Sequence, residues 1–463
     1  MPDDVASVAG KMTGAPDLSR RRFLGVGGAA ALWAVGACSG AHPKRGARSA
    51  LSTTTTRPLT PGERPDPSAA EGADRLPQVD HVIVLMMENH SYDGYLGMLG
   101  RGDGFTRGPD GTPTNANPDG AGNPLRAFHM ANTCQLPRQP SQAWNATHAQ
   151  WDQGAMDGFV RSASGPVAMG YWTGHDLPFY YGLASTFPLC DRWFASCMAQ
   201  TYPNRRFLLA ASARGEIRND LSAINQPLPP RGTVMDALNR HGIPWRNYYS
   251  TLPTTGLFLP VLQANGDKVV KIDQFFSDAA AGRLPALAIV DPDFSRGSEE
   301  NSQDISVGEA FAAKVIRAAM ASPAWPKTVL VWCYDEHGGY YDHVPPPPVA
   351  PPDDVPPKLL PGDVPGAYDR YGFRVPAVVV SPWARKGYVS SVVRDHTSIL
   401  KLVETKFNLP ALTARDGGAD DLLDCLDLGG TPPFLTPPAL PEPLNRAGAP
   451  LCTAAGPVPN RGA

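Results

Sequence analysis

The sequence predicts an α/β fold in which a central, mostly parallel sheet lies between helices. Several short runs of β-branched and other apolar residues are each followed closely by polar residues, and helical patterns lie between them. Runs that are apolar throughout are typical of strands covered on both faces, because a half-exposed strand alternates apolar and polar residues. The succession of strand, helix and strand therefore indicates a layered α/β domain.

Four apolar runs predict buried strands of this sheet. They cover residues 82–87, 284–290, 328–333 and 375–380. In open α/β sheets, ligands bind beyond the carboxyl ends of the strands. Glu88, Asp291 and Asp335 follow the first three runs, so we expect the functional site at that edge of the sheet.

The segments between the strands have helical or extended patterns. Residues 308–322 and 397–407 repeat apolar residues every three to four positions, which predicts amphipathic helices. The proline-rich segment 345–361 can form neither a helix nor a central strand. We expect it to be a long surface loop, which either borders the site or simply connects two elements.

The first forty residues carry an export signal. An arginine cluster precedes an apolar run of roughly fifteen residues in SRRRFLGVGGAAALWAVGACSG, the size of a signal h-region. The start resembles a twin-arginine signal, with an ordinary arginine-rich secretory signal as the alternative. Cys38 ends a sequence that resembles a lipobox, with an incidental cysteine at a cleavage site as the alternative. We therefore expect the protein in the periplasm, anchored to the cell envelope, or secreted.

Composition defines the remaining domain boundaries. Residues 1–38 form the signal, and residues 39–75, rich in Ser, Thr and Pro, are expected to be a disordered tether. Residues 76–412 form the main globular domain, which carries the candidate site residues, and residues 413–463 form a C-terminal extension. Six cysteines follow Cys38, an even number typical of an exported chain, and their pairing is open. The net charge of −3, without basic blocks, argues against nucleic-acid binding.

Acidic and amide side chains at two strand ends predict a metal site. Glu88 and Asn89 close one strand, and Asp335 and Glu336 close another. Oxygen ligands of this kind suit divalent cations, and a bound cation removes the repulsion between the carboxylates. The alternative is that each pair only caps a strand end or a helix start.

Thr201 is the candidate nucleophile. It lies just before Pro203, and proline is typical of the first helical turn, so Thr201 is expected at a helix start. Free backbone N–H groups there would bind a phosphoryl oxygen, and a metal contact would lower the pKa of the hydroxyl. The alternative is an ordinary capping threonine.

Two histidines and two arginines are further candidates. His396 opens the predicted helix at 397–407 and could hold a phosphoryl oxygen or protonate a leaving group. His148, between two tryptophans, is a second candidate, and either ring could instead make a structural hydrogen bond. Arg205 and Arg206 could clamp a phosphate, although ion-paired arginines are more common.

Long motifs in this chain closely resemble the bacterial phosphoesterase family of phospholipases C and acid phosphatases. They are VDHVIVLMMENHSYDGYLGML, YWTGHDLPFYYGLASTFPLCDRWFASCMAQTYPNR, VWCYDEHGGYYDHVPPP and YGFRVPAVVVSPWARKGYVSSVVRDHTSILKLVETKFNLPAL. The resemblance implies an alkaline phosphatase-like three-layer sandwich with a metal site at the strands' carboxyl ends. It also implies residue roles: metal ligation by Glu88, Asn89, Asp335, Glu336 and Thr201, transient phosphorylation of Thr201, and catalytic histidines at His396 and His148.

Two departures from the family pattern bear on the substrate. Family members commonly carry a Glu-His-Pro-Pro stretch where this chain reads SEENSQDISVGEAF, and a histidine where Gln142 or Ala143 stands. Both positions concern how phosphate is stabilised, and they leave the metal pairs and Thr201 intact.

The expected function is that of an exported, metal-dependent phosphoesterase. The expected reaction is a phospholipase C-type hydrolysis of phosphatidylcholine-like phospholipids through a phosphothreonine. An acid phosphatase-type phosphomonoesterase is the alternative, and a catalytically inactive, lipid-anchored binding protein is an alternative of another class. Calcium, magnesium, manganese and zinc all suit the expected ligands, and attachment through a lipidated Cys38 would bring the enzyme to a membrane.

Overall fold

The computed structural model describes residues 57–135, 139–445, 447–448, 452–453 and 456–457. The predicted export signal at 1–38, with Cys38, and the tether up to residue 56 lie outside the described residues. Within the described part of the chain, no helix is both long enough and apolar enough to cross a bilayer.

An eight-stranded sheet forms the centre of the fold. In chain order its strands are β1 His81–Met87, β2 Leu189–Cys190, β3 Trp245–Tyr249, β4 Val269–Lys271, β5 Leu287–Asp291, β6 Thr328–Tyr334, β7 Ala377–Val380 and β8 Val389–Ser390. Their spatial order is β8-β2-β7-β6-β1-β5-β3-β4. The neighbouring strands are parallel except where β7 meets β6 and β2. This arrangement confirms the predicted α/β fold with a mostly parallel sheet.

Helices flank this sheet. They are α1 Tyr92–Leu96, α2 Trp144–Trp151, α3 Pro178–Thr186, α4 Thr201–Ala210, α5 Val234–Arg240, α6 Leu259–Ala264, α7 Ile272–Ala280, α8 Ile305–Ala321, α9 Thr397–Phe407 and α10 Ala414–Gly417. Short 3-10 helices lie at Asp152–Gly154, Gly165–Met169, Leu221–Asn225, Thr254–Leu257, Gly266–Lys268, Trp325–Lys327 and Leu423–Cys425. Short strand pairs join Ala116–Pro118 to Pro124–Arg126, Phe128–His129 to Gly170–Tyr171, and Cys452–Thr453 to Gly456–Pro457.

The four predicted strands are present with small shifts in their starts. Strand β5 begins at Leu287 and β7 at Ala377, two residues after Pro285 and one after Pro376. Proline has no N–H to donate to a strand ladder, which explains both late starts. The central strand β1 is buried from Val82 to Met87, as its continuous apolar run predicts.

Both predicted helices are also present. Helix α9 has the predicted bounds, whereas α8 starts three residues earlier, at Ile305. The Asp304 side chain accepts a hydrogen bond from the Ser306 N–H and caps α8. The apolar face of α8 then packs into the core through residues such as Val315 and Ile316.

The segment 57–75 corrects the predicted tether. From Arg57 onward the chain lies against the domain, and the Leu59 and Arg75 N–H groups donate to the carbonyls of Gly417 and Lys406. The Asn408 amide donates to the carbonyls of Asp66, Ala69 and Ala70 at 2.9, 3.1 and 3.1 Å. Backbone hydrogen bonds therefore order a segment whose few apolar residues predicted disorder.

Candidate active site

The two central strands bring the first pair of predicted ligands together. β1 and β6 are parallel neighbours whose register pairs Met87 with Tyr334. The next residues along the two strands are Glu88 and Asp335, and the Asp335 N–H donates to the Met87 carbonyl at 3.3 Å. Both carboxylates therefore emerge from the same edge of the sheet, as the strand order requires.

The backbone turns sharply after β1 and after β6, and the two segments that follow these strands lie close to each other. Asn89 has a φ of 70°, in the left-handed region that asparagine tolerates better than most residues. Gly338, with a φ of 66°, lies so close that a Cβ there would come within 1.9 Å of the Asn89 carbonyl oxygen. Only glycine fits this approach, which keeps the segments after Glu88 and Glu336 in contact.

Helix α4 brings the candidate nucleophile to this edge. Thr201 is its first residue, as predicted, and its Oγ1 donates to Asn89 Oδ1 at 3.4 Å. The Thr201 side chain is 3% exposed. Arg205, one turn later on the same helix, follows on the same face.

Arg205 is ion-paired inside a group of carboxylates, called here the carboxylate cluster, that Glu88, Asp335, Glu336 and Glu300 form. It does not serve as a free phosphate clamp. Its Nε donates to Asp335 Oδ2 at 2.8 Å, and its Nη1 lies 3.5 Å from Asp291 Oδ1. Its Nη2 donates to the carbonyls of Met86 and Met87. Burial opposes the charge of Arg205, but the surrounding carboxylates outweigh it and raise its pKa above the usual value. Arg206 donates to the carbonyls of Ala223 and Leu257 and is also structural.

Glu88 and Glu336 are buried, and the neighbouring carboxylate of Asp335 disfavours the charge of each. Burial and then the charge of Asp335 raise the pKa values of Glu88 and Glu336 well above the usual value. Glu336 Oε2 accepts the Gly338 N–H at 2.7 Å, while its buried Oε1 has no hydrogen-bond partner. An unpartnered buried carboxylate oxygen beside other carboxylates fits an oxygen-ligated divalent cation. Glu88, Asn89, Asp335, Glu336 and Thr201 stay the predicted ligands of such a cation.

His396 lies next to this cluster, but both of its ring nitrogens are occupied. Nε2 lies 2.7 Å from the Asp335 carbonyl oxygen, and Nδ1 accepts the Trp193 indole N–H at 3.4 Å. Burial lowers the pKa of His396 to about 4, so the ring is neutral. In this arrangement His396 supports the backbone of Asp335, and neither nitrogen is free to protonate a leaving group.

His148 is bonded within its own helix, and its catalytic role stays a prediction. Its Nδ1 lies 2.8 Å from the Trp144 carbonyl oxygen, and its ring lies over the Trp144 ring at 4.1 Å. Burial lowers the pKa of this histidine. The intrahelical contact therefore occupies one ring nitrogen of His148, Nδ1.

Glu300 is a site residue that sequence reasoning did not select. Its Oε2 accepts the Asn89 amide at 2.5 Å, and its Oε1 accepts the Gln142 amide at 3.4 Å. Burial and then the charge of Asp335 raise the pKa of Glu300 to about 7. The two departures from the family pattern, at Gln142 and within residues 298–311, therefore meet in space. Two consecutive acids after the Asp291 strand were the available signal.

A second polar cluster lies beside helix α1. Asp93, Asp342 and His343 each offer a ligand atom, and these atoms all lie within 4.8 Å of one another. The buried Arg374 already pairs with two of them, with its Nε 2.8 Å from Asp342 Oδ1 and its Nη2 3.1 Å from Asp93 Oδ1. A guanidinium thus supplies the positive charge that a metal would bring, and we interpret this cluster as an ion-pair network.

His343 should make the stability of this network depend on pH. Burial lowers its pKa, but the hydrogen bond from its Nδ1 to Asp93 at 2.7 Å and the charges of Asp93 and Asp342 together outweigh burial and raise the pKa from 6.5 to about 8. This shift corresponds to about 2 kcal/mol. Because the folded-state pKa is the higher one, this stability is present below pH 6.5 and is lost as the pH rises through about 8.

Denaturant unfolding of wild type and His343→Gln across this pH range measures the effect. We expect the free-energy difference between the two proteins to shrink as the pH rises, because only the wild-type imidazolium pairs with Asp93. A difference that stays constant with pH would contradict the proposed charge on His343.

Comparison with known proteins identifies the class to which this chain belongs. The model described as "Phosphoesterase family" matches residues 79–410, which is most of the chain. The chain therefore belongs to the phosphoesterase family, and it is a hydrolase that acts on phosphoric ester bonds. The resemblance inferred from the motifs is confirmed.

Individual relatives are similar over most of their length. Phospholipase C A of Mycobacterium tuberculosis is 30% identical over 430 residues, which cover 80% of this chain and 81% of that protein. The non-specific phospholipase C6 of Arabidopsis thaliana is 31% identical over 398 residues, 78% of this chain and 74% of that protein. Among solved structures, a protein in the alkaline phosphatase superfamily from Vibrio parahaemolyticus covers 81% of this chain and 77% of its own, with 10% identity and a TM-score of 0.43.

Proposed function

We propose that this protein is a phospholipase C-type enzyme that hydrolyses phosphatidylcholine-like phospholipids through a phosphothreonine on Thr201. The observation that carries the proposal is the contact between Thr201 Oγ1 and Asn89 Oδ1 at the carboxylate cluster. The phospholipase C names of two relatives support the choice of a phospholipid.

The proposed reaction has two displacements. The Thr201 oxygen forms a bond to phosphorus while the bond from phosphorus to the glycerol oxygen breaks, and diacylglycerol leaves with a proton. Water then forms a bond to phosphorus, the Thr201 oxygen leaves, and the phosphorylated head group is released. Atoms balance in each step, and the enzyme ends in its starting state.

Side chains of this chain position the reacting groups. Asn89 accepts the hydrogen bond of the Thr201 hydroxyl and so directs this oxygen toward the cluster. Arg205 fixes the Asp335 carboxylate, and His396 fixes the Asp335 backbone. A divalent cation held by Glu88, Asn89, Asp335, Glu336 and Thr201 would supply Lewis acidity, which offsets charge on phosphoryl oxygens and lowers the pKa of the hydroxyl. Calcium, magnesium, manganese and zinc remain the candidates, and elemental analysis of the purified protein identifies the one retained.

Hydrolysis of phosphatidylcholine vesicles tests the substrate directly. We expect release of diacylglycerol and phosphocholine in equal amounts, and hydrolysis of p-nitrophenylphosphorylcholine by the same preparation. Activity on p-nitrophenyl phosphate alone would overturn the phospholipase proposal in favour of a phosphomonoesterase. Binding of vesicles without release of either product would favour the inactive binding protein.

We also propose that the enzyme acts outside the cytoplasm. The proposal is based on the arginine-led apolar segment at residues 19–40. The disulfide at Cys134 supports it, because such bonds persist in oxidising compartments. Fractionation of cells that express the full chain tests it, and a chain retained in the cytoplasm with its first residues intact would contradict it.

A further inference from the structure

Glu300 differs from the other carboxylates of the cluster in its exposure. Its side chain is half-buried, whereas Glu88, Asp335 and Glu336 are buried. Tyr202, the residue after Thr201, is half-buried as well, and the charge of Glu300 contributes to a raised Tyr202 pKa after burial and Glu88. Glu300 is therefore the carboxylate of the cluster that is most exposed to solvent.

The loop that carries Glu300 is held firmly in place. Glu299 has a φ of 77°, and its buried carboxyl group accepts hydrogen bonds from three tyrosine hydroxyls at 2.5 to 2.6 Å. The Gln135 amide donates to the carbonyls of Glu299 and Glu300 at 2.9 and 3.2 Å. The Ser298 carbonyl accepts the Glu88 N–H at 2.9 Å and ties the loop to β1. A strained backbone with this many partners keeps the Glu300 carboxylate at a defined position.

Glu300 is also one side chain away from the nucleophile. Its Oε2 accepts a hydrogen bond from Asn89 Nδ2, and Asn89 Oδ1 accepts a hydrogen bond from the Thr201 hydroxyl. A phosphoryl group within reach of Thr201 is therefore close enough to experience the charge of Glu300.

The cluster holds more negative charge than one divalent cation offsets. When all four groups are ionised, Glu88, Asp335 and Glu336 carry three formal negative charges, and Glu300 adds a fourth. Arg205 is the paired cation, and it is shared with Asp291. With Arg205 and a divalent cation in place, these groups still sum to a net negative charge, so each further charge on the substrate is disfavoured.

Phosphate esters differ in this charge. A phosphomonoester carries about −1.5 to −2 at neutral pH, whereas a phosphodiester carries about one negative charge. We propose, on the basis of the phosphoesterase reaction above, that Glu300 makes this site selective for monoanionic phosphodiesters over dianionic phosphomonoesters. Glu300 is then a specificity-determining residue whose uncompensated carboxylate repels the second charge of a monoester.

Two esters that share the same leaving group test this selectivity. Methyl p-nitrophenyl phosphate and p-nitrophenyl phosphate differ by a methyl group and one charge. In Glu300→Gln, which keeps an acceptor for the Asn89 amide, we expect the kcat/KM ratio of monoester to diester to rise about tenfold or more. Asp267→Asn is the matched control, because it removes one exposed negative charge in the turn before β4, and its ratio should equal that of wild type.

A binding measurement provides the second readout. Calorimetry with inorganic phosphate, a dianion at about pH 8, and with dimethyl phosphate, a monoanion, requires no turnover. We expect Glu300→Gln, saturated with the cation that the purified protein retains, to bind inorganic phosphate about tenfold more tightly and dimethyl phosphate as wild type does.

The outcomes separate this inference from the proposed function. An unchanged ester ratio and unchanged phosphate affinity in Glu300→Gln would overturn the role of Glu300, even with wild-type phospholipase activity. An equal loss on both esters would also overturn it, because Glu300 would then act only by holding Asn89. If the wild type hydrolysed neither ester, the proposed reaction would be wrong. The calorimetry would still test the charge effect of Glu300 in that case.

Discussion

Replacing Thr201 with alanine is expected to reduce kcat on p-nitrophenylphosphorylcholine about a thousandfold or more. The physical reason is that the hydroxyl which forms the bond to phosphorus is removed, and positioning and charge alone leave only residual catalysis. The structure supports this reading because Thr201 Oγ1 lies 3.4 Å from Asn89 Oδ1 within the carboxylate cluster. Steady-state rates at saturating substrate measure the effect.

Thr201→Ser is the matched control for this experiment. Serine keeps the hydroxyl and loses one methyl group, so it should retain a substantial part of the activity, and both variants should unfold at wild-type temperature within a few degrees. Acid quenching of wild type during turnover, followed by peptide mass spectrometry, should find phosphate on Thr201. Full activity in the alanine variant would refute the role of Thr201 as the nucleophile.

Replacing Glu336 with glutamine is expected to have two opposite effects. The variant should bind the divalent cation about a hundredfold more weakly or worse, and lose activity accordingly, because a charged oxygen ligand becomes neutral. Without metal, the variant should be more stable than wild type, because burial and Asp335 disfavour the Glu336 charge and raise its pKa.

The stability effect should also depend on pH. The pKa of Glu336 is higher in the folded chain than in the unfolded chain. The metal-free wild type therefore loses stability as the pH rises from the unfolded-state pKa through the folded-state pKa, and Glu336→Gln does not. Chelator treatment followed by thermal unfolding at several pH values, and titration calorimetry with the cation, measure the two effects.

Glu309→Gln is the matched control for Glu336. Glu309 is also a buried glutamate with one unpartnered oxygen, and burial raises its pKa to about 8. Its other oxygen accepts the N–H groups of Phe179 and Tyr180 at the start of α3, away from the cluster. Cation affinity should be unchanged in this variant. An equal loss of affinity in both variants would show that the Glu336 effect is not ligation.

The sequence was sufficient to place the main strands and the start of helix α4. Continuous apolar runs identified β1 and β6, and the polar residues directly after them marked the edge where the site lies. These predictions depend on local composition and on the rule that parallel strands end at one edge. The apolar sequence of β7 did not predict that this strand is antiparallel to β6, because strand direction depends on partners far along the chain.

The roles of individual charged residues needed the three-dimensional arrangement. Arg205 had the sequence context of a phosphate clamp, yet it pairs with Asp335, 130 positions away. His396 had the context of a catalytic acid, yet both ring nitrogens are used by Asp335 and Trp193. A side chain's partner determines its protonation and its freedom to act, and no local pattern encodes a partner at that separation.

By itself, the sequence determined the α/β class, the family, and the residues that the strand ends and the helix start supply. Only the tertiary structure decided which of these side chains are free and which are satisfied, and it brought Glu300 to Asn89 and Gln142 to Glu300. The physical reason is that apolar periodicity and turn residues act over a few positions. Charge compensation and hydrogen bonding among buried groups, by contrast, are properties of the packed whole.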